Sequence, residues 1–145
     1  MSRSRAGVWC VVAVAGCLTV SRSLTAHHGT LVSYDRDKAW TAKAVVTEFR
    51  YVNPHAQLYF DVKADKNHAG HWSGELLPNP SQLLASGWTR KRSTEALKAG
   101  TPITVTVAPA RAGGMVVLVL RILNDKGEEL LGAAPPPGAV PRPVP

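Results

Sequence analysis

The sequence predicts a mainly β fold, a small five-stranded barrel with one short helix between its third and fourth strands. Three features carry that expectation. Apolar and polar residues alternate in several runs, turn residues separate those runs, and a single interruption carries helix start and stop signals. A chain of 145 residues has room for one domain with a real core and not for two.

The elements follow in order. "TAKAVVTEFRYV", Thr41 to Val52, is rich in β-branched and aromatic residues and reads as the first strand. "NPH" interrupts it, because Pro54 cannot donate to a ladder and biases Asn53 toward an extended backbone. "AQLYFDVKAD" alternates strictly, with Ala56, Leu58, Phe60 and Val62 on one face and Gln57, Tyr59, Asp61 and Lys63 on the other. "KNHAG" is a turn and "HWSGELL" a third strand. In "PNPSQLLASGW", Pro80 and Ser81 suit a helix start and Gly87 is placed to stop it, while "STEALKAG" offers a second short helical turn. "TPITVTVAPA" alternates again. "GGMVVLVLRIL" is apolar on both faces, which calls for cover on both sides, and "NDKG" is a hairpin signal from which "EELL" pairs back. Three strands, a short helix and two strands in this order match a barrel of the oligonucleotide/oligosaccharide-binding type, with an open sandwich as the alternative.

The two ends read differently. "MSRSR" is a basic start, and the apolar "AGVWCVVAVAGCLTV" that follows is too short to span a bilayer comfortably, so residues 1–26 read as a secretory signal peptide. The domain then covers 27–132, and the exported product is expected in the periplasm or outside the cell. "VAGC", Val14 to Cys17, resembles a lipoprotein processing box, so a lipid anchor at Cys17 stays open as a second route. No later segment has the length and apolarity of a transmembrane helix. Residues 133–145 hold six prolines and read as a solvated, disordered tail in polyproline II form.

Cysteine and charge exclude several functions. Cys10 and Cys17 both lie in the leader, so a product cut near Ala26 has no disulfide, thiolate site or cysteine nucleophile. Removing the leader lowers the net charge from +7 to +4, and "RKR", Arg90 to Arg92, is the only dense basic run. A nucleic-acid partner needs a stripe of such charge and is set aside. Ser–His–Asp spacing, paired carboxylates, a phosphate loop and an HExxH helix are all missing from the sequence, and a binding role is expected in place of an enzyme.

Histidine remains as the residue with chemistry to offer. Cleavage after Ala26 makes His27 the first residue, with a free amino group and a ring nitrogen for one ion. One further imidazole completes a T-shaped brace that suits copper, the divalent first-row ion that nitrogen ligands bind most tightly. Cleavage one residue earlier puts His28 third, in an amino-terminal copper or nickel motif. His55, on the turn set by Pro54, is the second imidazole, and Asp35 is placed to ligate or to orient a ring. The bland reading stands beside it: terminal histidines are often solvated, and His55 has a turn backbone to bond. His68 and His71 flank a loop tip and read as solvated. A rival site is a stacking face of Tyr59, Trp72 and Trp88, holding a peptide, glycan or periplasmic partner protein without metal. Core packing is the competing role for those tryptophans.

"AHHG", "YD", "VTEFRYVNPHAQLYFDV", "GWTR" and "LKAGTPITVTVAPARAGG" together resemble a family of secreted bacterial domains of unknown function. Members carry Ala-His-His-Ser after the signal peptide and a Val-Asn-Pro-His-Ala block on the first hairpin. The likeness runs from about Ala26 to Asn124 and implies an exported small β-barrel. His27, His28, Asp35, Asn53, Pro54, His55 and Trp88 match its motifs. Gly29, Ala99 and Thr101 depart from the usual serine, proline and aspartate, and none of these changes touches a histidine.

Overall fold

A computed structural model describes residues 32–132 of the chain. The stretch read as a signal peptide, His27, His28 and the proline-rich residues 133–145 lie outside these residues. Six strands form one sheet: β1 (Trp40–Arg50), β2 (Gln57–Val62), β3 (Gly70–Leu76), β4 (Pro102–Pro109), β5 (Val116–Leu123) and the two-residue β6 (Glu129–Leu130). The central β1 pairs antiparallel with β2 on one side and β4 on the other. β2 pairs with β3, and β4 with β5, again antiparallel. A parallel β3–β5 pairing then closes the ring, so the first five strands form a closed barrel, as expected. The "NDKG" turn brings β6 back onto β5, with Ile122 opposite Leu130.

The alternation seen in sequence decides what lies inside. Ala42, Ala44 and Val46 of β1, Leu58, Phe60 and Val62 of β2, and Ile103, Val105 and Val107 of β4 all point into the barrel and are buried. Burial of a side chain such as Leu58 or Phe60 is worth roughly 1.5–3 kcal/mol each. A bulge between Val46 and Glu48 shifts the β1 register against β2. Gly74 sits where β3 meets β5, and a side chain there would collide with Val119. Its missing Cβ lets the parallel seam close.

The segment between β3 and β4 holds two short helices, the second where "STEALKAG" offered a further helical turn. The first, α1 (Pro80–Ala85), begins at Asn79, which exchanges hydrogen bonds with Gln82 in a capping box and precedes Pro80 at the first helical position. Gly87, with φ +81°, follows the helix end, and the Trp88 amide returns to the Leu83 carbonyl at 2.8 Å. The second, α2 (Arg90–Ala96), starts three residues before "STEALKAG", because Thr89 caps the Arg92 amide and draws the basic run into the helix. Leu83, Trp88 and Leu97 of this segment pack on the barrel core.

β5 is apolar on both faces, and both faces are covered. Val117 and Val119 join the main core. Leu118 lies on the outer wall, where Tyr34 covers it together with Ala108 in a second small cluster. Among the described residues no helix is long and apolar enough to cross a membrane.

Candidate functional site around Glu75

The segment that covers β5 is pinned to the barrel by its backbone. Tyr34 forms a bridge with Ala110, the Asp35 amide donates to the Pro109 carbonyl at 2.9 Å, and the Arg111 amide donates to the Ser33 carbonyl at 2.9 Å. Tyr34 is thereby held flat on Leu118, and its hydroxyl donates to Glu75 Oε2 at 3.0 Å. Burial, reinforced by the Glu75 carboxylate, pushes the Tyr34 phenol up to about 12.

Glu75 lies on the outward-facing side of β3, opposite Gln57 of β2 and Leu118 of β5. Its second oxygen, Oε1, faces His55 Nε2 at 3.5 Å, longer than a direct hydrogen bond. His55 follows the cis Asn53–Pro54 bond at the entry to β2. Its other ring nitrogen, Nδ1, is buried with no hydrogen-bond partner among the described residues. One carboxylate therefore stands between the segment that precedes β1 and the prolyl turn.

Of the metal ligands expected from sequence, the structure describes His55 and Asp35; His27 and His28 lie outside the described residues. The two described ligands have different surroundings. Asp35 Oδ2 sits 3.5 Å from Lys38 Nζ and 3.6 Å from Arg111 Nη1, so its charge is already balanced. The carboxylate beside His55 is that of Glu75. Among the described residues no three His, Cys, Asp or Glu side chains gather as a metal-holding group. Residues 15–118 match the family of unknown function DUF6152, well over half of the chain. The chain belongs to that family. No curated protein matches it, and no solved structure does. The DUF6152 match spans His27, His28, the prolyl turn and Glu75, and ends within β5. Its description assigns no activity to any of them.

The expected stacking face does not assemble on this DUF6152 barrel. Trp72 is 7% exposed and Trp88 8%, and both belong to the core. Trp72 points inward by the same alternation that turns Glu75 outward. Trp88 is buried beneath the guanidinium of Arg92, 4.0 Å from its ring centroid, and its carbonyl accepts from Tyr51. The physical reason is packing: Trp72 lies on the inward face of β3 against Trp40, and Trp88 joins Leu83 and Leu97 in the main core. Tyr59 alone of the three lies on the outer wall, half-buried, with Arg50 over its ring and its hydroxyl donating to Gln57. His71 is exposed and paired with Asp61 at 2.7 Å. His68 is not simply solvated: its ring stacks on Trp40 at 4.1 Å, and Nδ1 meets Asp65 Oδ2 at 2.6 Å.

Sequence reasoning passed over Tyr34 and Glu75. A signal for Glu75 existed in "HWSGEL", where alternation puts it outward with His71 and Ser73. What that pattern could not convey is the strand beside it, since the β3–β5 pairing joins residues more than forty positions apart. Tyr34 stands next to the chosen Asp35, and only the tertiary contact distinguishes the two.

Proposed function

We propose that this is an exported binding protein that holds copper, or a similar ion, through the imidazoles of His27, His28 and His55. The observation that carries the reading is the shared carboxylate: Glu75 meets Tyr34 with one oxygen and His55 with the other. The chain leading back to the histidines thus departs from the same patch of outer wall as the prolyl turn. Six residues lie between His27 and Tyr34, a tether of at most about 25 Å when fully extended. His55 supports the reading further. Its Nε2 lies 3.5 Å from the Glu75 carboxylate, the kind of neighbour that orients metal-ligating imidazoles. Nitrogen donors favour copper among first-row divalent ions. Cleavage after Ala26 adds the amino group and ring of His27 to that set, and the role is carriage of the ion without chemistry on it.

The test uses the secreted protein after mass spectrometry has fixed its first residue. Calorimetric titration with copper(II) is expected to give one site per chain, weakened by about ten-fold or more in His55→Ala. Undiminished affinity in that variant, or a first residue that leaves no histidine near the terminus, overturns the proposal.

A further inference from the structure

On the side wall of the barrel, the starts of β1 and β4 and the end of β2 enclose an open cleft of about 400 Å³. Its apolar part is formed by Val45, 38% exposed on β1, together with Pro102 and Ala64. Two lysines stand at its rim. The last pair of the β1–β2 ladder is Val45 with Asp61, and continuing that register two residues past the end of β2 sets Lys43 across from Lys63. Both are exposed and both line the cleft, and neither forms an ion pair among the described residues. On the other side of Lys43 the ladder supplies Thr104 of β4, which lines the same cleft with a hydroxyl.

Like charges directly across an antiparallel ladder repel and are ordinarily avoided. Here two lysines and a threonine line one cleft, next to exposed apolar surface. The cleft also holds two carboxylates, neither of them in an ion pair with either lysine. Asp61 is engaged by His71 at 2.7 Å, and Asp125 lies exposed on the turn between β5 and β6. An anion placed between the lysines relieves the repulsion, and an apolar body attached to it covers Val45, Pro102 and Ala64.

We propose that this cleft binds a small organic anion, a carboxylate head held between Lys43 and Lys63 with a short apolar body on Val45 and Pro102. A cleft of this volume suits a small molecule in place of a macromolecular surface. The site is separate from Glu75 and His55 and does not depend on the metal reading.

Octanoate is the probe, titrated into the full secreted chain and followed by backbone amide shifts. Saturable shifts are expected at Lys43, Val45 and Ala64. The double variant Lys43→Gln/Lys63→Gln is expected to lose about ten-fold or more in affinity, whereas Lys43→Arg/Lys63→Arg keeps it within about three-fold. Both lysines are exposed, so these variants retain the fold, which an unchanged melting temperature verifies. The proposal is overturned if octylamine binds as tightly as octanoate, if the glutamine pair binds octanoate undiminished, or if no saturable shift occurs at these three residues.

Discussion

The Tyr34 hydroxyl reaches Glu75 Oε2 at 3.0 Å across 41 positions of sequence, fastening the segment before β1 to the far side of the barrel. Loss of that hydroxyl leaves a half-buried carboxylate one donor short. Tyr34→Phe is expected to lower unfolding stability by about 1–2 kcal/mol, measured by urea denaturation at neutral pH.

The same contact has an alkaline signature. An unfolded tyrosine ionises near 10, whereas Tyr34 keeps its proton to about 12. Between those values the folded chain binds more protons than the unfolded one, so stability is complete below pH 10 and falls as pH rises toward 12. In Tyr34→Phe that stretch of the pH curve flattens. An equally steep fall in the variant assigns the effect to other groups.

At the parallel seam, a Cβ on Gly74 would stand 2.5 Å from Val119 Cγ2 and 3.3 Å from the Leu58 carbonyl oxygen. Gly74→Ala is expected to cost roughly 1–3 kcal/mol through overpacking. Shortening the neighbour relieves it, so Gly74→Ala/Val119→Ala loses less than the two single variants added together. Additive losses in thermal or urea melts count against a clash at this point.

Ser93 is fully buried in α2, and its hydroxyl has no hydrogen-bond partner among the described residues. Alanine removes the unpaired group and favours the helix. Ser93→Ala is expected to raise stability by about 1 kcal/mol, and a lower denaturation midpoint contradicts this account.

The His68 imidazole, with help from the Asn67 amide, holds the Asp65 carboxyl below its usual range. A depressed folded-state value gives stability that is present above the ordinary carboxylate range and lost as pH falls through the folded value. His68→Phe keeps an aromatic ring for Trp40 and removes the nitrogen. Its denaturation midpoint is expected to change less than the parent's as the pH is lowered from 5 to 2. An acid limb identical to the parent's shows that the contact has no bearing on stability.

The barrel was legible because its strands alternate. Leu58, Phe60 and Val62 declare an inner face, and Tyr59 and Asp61 an outer one, from period-two spacing alone. The doubly apolar β5 even announced that its outside needed cover. The helical segment was half legible: Pro80 and Gly87 mark α1, but the arginines of "RKR" hide a helix start that Thr89 creates. The site divided in the same way. His55 stood out by its proline, whereas Glu75 looked like one more outward residue of a strand.

Local pattern and chemistry determined the strands, their inward faces, the prolyl turn and the absence of cysteine beyond Cys17. Family membership is likewise a property of the linear sequence. Only the tertiary structure decided which carboxylate stands beside His55, what covers Leu118, and that Trp72 and Trp88 are core residues. The reason is range. Alternation and capping act over a few residues, but closing a barrel through the β3–β5 seam joins positions that no local period connects.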